Sequence, residues 1–283
     1  MKIRMASTAG FCFGVKRAVD KAYALAESSS KKLYTIGPLI HNEEVVSDLM
    51  KRGVYPLSSR EELEALTDAI VLIRSHGVGK PTYELLEALG LEVVDLTCPY
   101  VLKIHRAVEK DSEAGRQIII IGDAAHPEVI GISEWCQTPP IIINNRESAQ
   151  KVDINPKVGC TIVVQTTFNH KNFKELVDIL AKKGYDSTVL NTICNATHER
   201  QCEAKKIASK VDTMIVVGGK NSSNTQKLFE ICKNQCSNTY HIQTHNDISS
   251  DMFQSSSCIG ITAGASTPNK IIEEVQTHVR TEL

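Results

Sequence analysis

The sequence predicts an α/β fold of three pseudo-symmetric repeat domains, each a small parallel sheet flanked by helices, around a central cluster site. Three observations carry that prediction. Short apolar runs alternate with amphipathic helical segments, the pattern of parallel strands with helices on their faces. The segments after Cys12, Cys98 and Cys194 share one plan at spacings of 86 and 96 residues. The apolar runs are also far shorter than the roughly 18 to 20 residues that a membrane helix needs.

Each repeat opens with a cysteine at or near a helix start, and the helical segments are 14–26, 100–113 and 196–210. A strand-like run closing on glycine follows: Leu33 to Gly37, Ile118 to Gly122 and Met214 to Gly218. Four residues past each glycine stands a polar or imidazole side chain, His41, His126 or Ser222, and another helical pattern begins. A second buried run then ends in polar residues: Ile70 to Ile73 before Ser75-His76, Ile162 to Val164 before Thr166-Thr167, and Ile259 to Ile261 before Gly264-Ala265-Ser266. A third helix occupies 82–89, 172–183 and 269–279. Copies one and two continue through a strand, 92–95 or 187–191, into the next cysteine, whereas copy three stops. The N-terminal strand leading to Cys12 is the expected substitute. The repeat domains are therefore 13–97, 98–193 and 194–283, the last completed by 1–12.

Lys+Arg number 32 against Asp+Glu 33, a net charge of −1, which excludes charge-driven binding to nucleic acid or membrane. Nine cysteines are too few for a disulfide scaffold and odd in number, and the first residues lack the apolar stretch of a signal peptide. Reduced thiols in the cytoplasm are expected.

In parallel sheets, ligands bind beyond the carboxyl ends of the strands, where these loops collect. A helix N-terminus favours the thiolate. Three widely separated thiolates suit a [4Fe-4S] cluster with one iron free of protein ligands, whereas structural zinc favours four ligands in close pairs. Ordinary buried cysteine is the alternative for any one of them. Cys136, Cys160, Cys202 and Cys258 read as small hydrophobes, and Cys232 with Cys236 as a pair on one helix face. His41, His76, His126, Thr166, Ser222, Ser223, Asn224 and Ser266 are neutral donors at helix starts, a cradle for a phosphate or diphosphate. Helix capping is the plainer use of such hydroxyls. Glu128, two residues after His126, is a candidate proton donor, and Glu43 holds the same position in copy one, so spacing does not choose between them.

Nine ordered segments carry a resemblance: Gly10-Phe11-Cys12-Phe13-Gly14-Val15, Ile40-His41-Asn42, Ser75-His76-Gly77-Val78, Thr97-Cys98-Pro99, His126-Pro127-Glu128-Val129, Gln165-Thr166-Thr167, Ile193-Cys194-Asn195-Ala196-Thr197, Lys220-Asn221-Ser222-Ser223-Asn224 and Thr262-Ala263-Gly264-Ala265-Ser266. Together they resemble the 4-hydroxy-3-methylbut-2-enyl diphosphate reductase family from end to end. The resemblance implies reductive dehydroxylation of that allylic diphosphate to isopentenyl and dimethylallyl diphosphates, the last step of the non-mevalonate isoprenoid pathway. It implies that Cys12, Cys98 and Cys194 hold the cluster and that His41, His76, His126, Ser222, Ser223, Asn224 and Ser266 hold the diphosphate. Thr166 would meet the substrate hydroxyl region, Glu128 would deliver protons, and reduced ferredoxin or flavodoxin would supply electrons. A quinolinate-synthase-like cluster dehydratase and a non-catalytic metal sensor share the three-cysteine plan. Dependence on an external reductant separates the first, and a diphosphate cradle has no purpose in the second.

Overall fold

In a computed structural model of the chain the described residues are 2–155, 157–254 and 256–281. Met1 and Leu283, which bound the predicted third repeat domain and its N-terminal strand, lie outside them. The chain begins with β1 (Lys2–Met5), α1 (Phe13–Ser28), β2 (Lys32–Ile36), α2 (Glu43–Lys51), β3 (Val54–Leu57), α3 (Arg60–Glu64), β4 (Ala69–Ile73), α4 (Lys80–Ala88) and β5 (Glu92–Asp95). It continues with α5 (Pro99–Glu113), β6 (Gln117–Ile121), α6 (Pro127–Ser133), β7 (Ile141–Ile143), α7 (Arg146–Lys151), β8 (Cys160–Val164), α8 (His170–Ala181) and β9 (Ser187–Val189). The last third holds α9 (Asn195–Ala208), β10 (Thr213–Val217), α10 (Ser223–Lys233), β11 (Thr239–Ile242), β12 (Cys258–Ala263) and α11 (Asn269–Thr281).

Among the described residues twelve strands form three four-stranded sheets of one topology, in the orders β3-β2-β4-β5, β7-β6-β8-β9 and β11-β10-β12-β1. Every pairing is parallel. The third sheet takes its fourth strand from the N-terminus, with Lys2 opposite Cys258 and Met5 opposite Ile261. Each sheet also has an edge strand that the apolar pattern does not announce: β3, β7 or β11. β3 contains Pro56, which an edge strand tolerates because one side of its backbone makes no ladder. β7 has three residues and follows Pro139-Pro140, and β11 is half polar.

The central strands β4, β8 and β10 are buried at every residue because both of their faces are covered. In the second sheet Ile119, Ile121, Ile162 and Val164 pack with Phe173, Leu176 and Leu180 of α8. The alternate residues Ile118, Ile120 and Val163 meet Ile104 and Val108 of α5 and Val129 and Ile132 of α6. The third sheet repeats this, with Ile215, Val217, Ile259 and Ile261 against Ile271, Ile272 and Val275 of α11. Its Met214 and Val216 face Ala204 and Ala208 of α9 and Leu228 of α10. In the first sheet Val71 and Ile73 share a cluster with Leu63 and Leu86.

Two compact units divide the chain: Met1–Lys16 with Ile40–Asp48 and Asn195–Leu283, and Arg17–Leu39 with Leu49–Cys194. The first unit contains the sheet completed by β1, and the second contains the other two sheets. Within the second unit, Trp135 joins the two repeats. Its ring stacks on His105 at 5.2 Å and meets Tyr83 edge-on at 5.7 Å, and its Nε1 donates to the Val78 carbonyl at 3.0 Å. Among the described residues no helix is long and apolar enough to cross a membrane. Ile120→Ala, which empties a fully buried central-strand position, is expected to lower stability by about 2–5 kcal/mol, read as an earlier urea midpoint.

Candidate functional site

The three cysteines of the repeat occupy one local geometry. Cys12, Cys98 and Cys194 immediately precede α1, α5 and α9, and each is partly exposed with no disulfide. The Cys12 carbonyl accepts from Lys16 N–H at 2.9 Å and that of Cys98 from Leu102 N–H at 3.1 Å, the first bonds of their helices. In the other direction each cysteine N–H donates to the carbonyl two residues beyond a central strand. The pairs are Cys12 to Ala265 past β12 (3.2 Å), Cys98 to Ser75 past β4 (2.9 Å) and Cys194 to Thr166 past β8 (3.1 Å). Each thiol thus stands where a sheet's carboxyl end meets a helix start, where backbone N–H groups lend partial positive charge.

In the second unit the predicted residues His76, His126, Glu128 and Thr166 form two contacting sets. His126 is the N-cap of α6, and its Nδ1 accepts from Glu128 N–H at 3.1 Å, which leaves Nε2 to carry the proton of the neutral ring. The His76 and His126 rings meet edge to face at 5.6 Å. Gly77 allows the turn after His76: its φ is +73°, and a Cβ there would lie 2.7 Å from His105 Cε1. Thr166 grips Glu128 with both of its donors, N–H to Oε1 at 2.6 Å and Oγ1–H to Oε2 at 2.7 Å. Since the Thr166 carbonyl also accepts from Cys194 N–H, one residue touches both the buried acid and a cysteine of the repeat.

Glu128 is 2% exposed, and burial pushes its carboxyl up from the ordinary value, against the two Thr166 hydrogen bonds that pull it down. Glu43, its counterpart by spacing, is an exposed residue that accepts from Asn221 Nδ2 at 3.4 Å and Gln243 Nε2 at 3.3 Å. Burial thus separates two glutamates that spacing leaves equivalent.

In the first unit His41, Ser222, Ser223, Asn224 and Ser266 lie near the start of α10. Ser222 caps the helix by accepting from Thr225 N–H, and Ser266 Oγ donates to Ser222 Oγ at 3.3 Å or to the His41 carbonyl at 3.1 Å. Asn224 is 4% exposed, yet neither Oδ1 nor Nδ2 has a hydrogen-bond partner among the described residues. A buried amide left with both ends unsatisfied costs about 1–3 kcal/mol unless something polar meets it. Beside two hydroxyls at a helix N-terminus, an anion of phosphate type answers that requirement.

The remaining cysteines differ from the three. Burial pushes the Cys136 and Cys232 thiols up to about 12, and Cys160 and Cys236 are buried, so these serve as apolar packing. Cys258 opens β12. Cys202 corrects the reading as a small hydrophobe: it is exposed on α9, with Sγ 3.8 Å from His198 Nε2. Sequence reasoning passed over Asn42, whose Oδ1 accepts from Val45 N–H at 3.1 Å to start α2, and Thr267, whose hydroxyl donates to the Val217 carbonyl at 3.1 Å. Asn42 stood within a quoted segment, as an N-cap type. Thr166→Val removes the hydroxyl bond that lowers the Glu128 pKa, so that pKa is expected to rise further, seen by carbon-13 NMR of labelled glutamate carboxyls.

The family model described as LytB protein matches residues 3–280. The 4-hydroxy-3-methylbut-2-enyl diphosphate reductase of Caldanaerobacter subterraneus subsp. tengcongensis is 46% identical over 276 residues, 97% of this chain and 95% of that protein. A protein of the same name from a Thermoanaerobacter species is 45% identical over 99% of this chain and 97% of its own length. Among solved structures, the E-1-hydroxy-2-methyl-but-2-enyl-4-diphosphate reductase of Plasmodium falciparum superposes with a TM-score of 0.91 at 27% identity, covering 99% of this chain and 87% of that one. An (E)-4-hydroxy-3-methyl-but-2-enyl diphosphate reductase, titled the terminal enzyme of the non-mevalonate pathway, gives 0.70 at 41% identity over 99% of this chain and all of that one. With the match spanning nearly every residue and both sequence and fold in agreement, the chain belongs to the LytB protein family.

Proposed function

We propose that this chain reduces 4-hydroxy-3-methylbut-2-enyl diphosphate to isopentenyl and dimethylallyl diphosphates, the last step of the non-mevalonate isoprenoid pathway, with Cys12, Cys98 and Cys194 as ligands of a [4Fe-4S] cluster. The observation that carries the reading is the repeated placement of a partly exposed, unbridged cysteine between a strand end and a helix start, in a chain of this family. That donor set fits the group: three partly exposed thiols, each at a helix N-terminus, whereas Cys160, Cys232 and Cys236 are buried, the partly exposed Cys136 has its thiol pushed up to about 12 by burial, Cys258 opens β12 and Cys202 is exposed on α9. When bound, the cluster would supply electrons and a Lewis-acidic iron toward the substrate hydroxyl.

The chain's own residues do the rest. His41, His76, His126, Ser222, Ser223, Asn224 and Ser266 would hold the diphosphate, and the unsatisfied Asn224 amide supports that assignment. A diphosphate held there is a remote handle that fixes the orientation of the allyl end. The overall change consumes two electrons and two protons, breaks the C–O bond and releases water. Glu128 would hold one of those protons, since burial keeps it protonated to higher pH than an ordinary carboxyl, and the Thr166 hydroxyl at 2.7 Å would relay it. Reduced ferredoxin or flavodoxin would deliver the electrons, in the cytoplasm.

Anaerobic protein is expected to carry about four irons per chain and to oxidise its reduced donor only when the allylic diphosphate is added. One zinc in place of the irons, or no donor oxidation, overturns the reading. Cys98→Ser should lose the iron. Glu128→Gln should keep iron and affinity while turnover falls by about 10²-fold or more. Wild-type turnover should decline as pH rises through the raised Glu128 pKa, because the acid form is lost, and that limb should vanish in Glu128→Gln. Asn224→Ala should weaken substrate binding by about 1–3 kcal/mol, read by calorimetry.

A further inference from the structure

The loops that deliver the three cysteines are braced differently. Three residues before Cys98 and Cys194 stand Asp95 and Asn191, and each side-chain oxygen accepts the N–H just before the cysteine, from Thr97 at 2.8 Å and Ile193 at 3.2 Å. Ala9 holds the equivalent position before Cys12 and has no acceptor to offer. The first loop is also longer, with six residues between β1 and Cys12 against two between β5 and Cys98.

Donors earlier in this loop, at Ser7 and Thr8, are met instead from α9, nearly two hundred residues away. Glu203 Oε1 accepts from Ser7 N–H and Oγ–H at 2.9 and 2.8 Å, and Oε2 from Thr8 N–H and Oγ1–H at 2.9 and 2.6 Å. One turn earlier on the helix, the buried Arg200 donates from Nη2 to the Gly10 carbonyl at 2.7 Å. Gly10 sits at φ +101°, where a Cβ would lie 2.6 Å from Asn269 Oδ1, so its carbonyl is aimed by a turn that a side chain would obstruct. Burial pushes the Glu203 carboxyl up, but the bonds from Thr8 and Ser7 outweigh it and hold it at about 2, so it is ionised wherever the protein is folded near neutrality.

We infer that Glu203 and Arg200 are the positioning pair for the Cys12 ligand, a long-range clamp in place of the local acceptor that Asp95 and Asn191 give the other two loops. The inference rests on the reading of Cys12 as a cluster ligand. A carboxylate with all four contacts used on one loop fixes that loop rigidly, because charged hydrogen bonds are stronger than neutral ones and two per oxygen leave little room to swing. The pair bonds to Ser7, Thr8 and Gly10 and acts through Cys12.

The test uses the anaerobically reconstituted full chain, with Glu203→Ala and the conservative Glu203→Asp. Iron release to a ferrous chelator is timed, and amide hydrogen exchange is followed in the peptides leading to Cys12, Cys98 and Cys194. In Glu203→Ala, iron release and exchange in residues 6–12 should each accelerate by about tenfold. The segments before Cys98 and Cys194 should stay within about twofold of wild type. Glu203→Asp, which keeps the charge on a shorter arm, should recover part of both effects. Unchanged iron release and exchange in Glu203→Ala overturn the clamp, as does equal acceleration at all three segments, which would make Glu203 a general prop of the fold. Wild-type protein that takes up no iron overturns the ligand reading of Cys12 itself, an outcome distinct from an intact cluster that ignores Glu203.

Discussion

The backbone N–H of a cysteine, held by the carbonyl two residues beyond a parallel strand, is the contact on which the arrangement depends. It occurs three times, to Ala265, Ser75 and Thr166. A parallel sheet buried on both faces is rigid at its centre, and the last carbonyls of its strands point into the loops. Hanging a cysteine on such a carbonyl transfers the sheet's rigidity to the thiol without placing the thiol in the core. The helix that starts at the next residue then fixes the chain direction and adds the favourable end of its dipole. Weakening the central strands would therefore reach the thiols through Ser75, Thr166 and Ala265.

Thr166 shows how one position can serve two demands. Its carbonyl anchors Cys194, while its N–H and hydroxyl both bind Glu128. Without Thr166 the buried carboxyl would lose the two bonds that favour its ionised form, and burial would push its pKa further up. The two Thr166 bonds pull the pKa down, but burial dominates and leaves it above the ordinary value. Glu43, with the same spacing, lies on the surface and is occupied by amides of Asn221 and Gln243. Identical spacing in the repeat thus gives one buried and one exposed carboxyl, because packing, and not the sequence offset, sets the surroundings.

What the amino-acid sequence discloses follows the range of the forces involved. The repeat, the central strands and the cysteine positions are legible because apolar runs and helix starts are written in consecutive residues. β1 is legible as the strand missing from copy three. The edge strands β3, β7 and β11 are not, since an edge strand is defined by a neighbour and need not be apolar on both faces; Pro56 even argues against one. Asn224 is legible as a polar residue near a helix start. Its exposure of 4% and unsatisfied amide are not, because burial is a property of the packed unit. Cys202 reads as apolar by type and stands exposed, since the α9 face that packs is set by Ala204 and Ala208.

The three loops before the cysteines show why a repeat need not keep its supports. In two of them the acceptor three residues before the cysteine is local, so its geometry is fixed by the chain itself and costs little to order. In the first loop the strand is the N-terminal segment of the chain, which pairs with β12 across most of the sequence. The loop that follows is longer than the one before Cys98, and Ala9 offers it no side-chain acceptor. A charged acceptor on α9 compensates, because it binds two backbone and two hydroxyl donors at once and stays ionised across the neutral range. Glu203 stands outside the repeat pattern for that reason: it answers a break in the symmetry, at the loop where Ala9 replaces the acidic or amide acceptor of the other two.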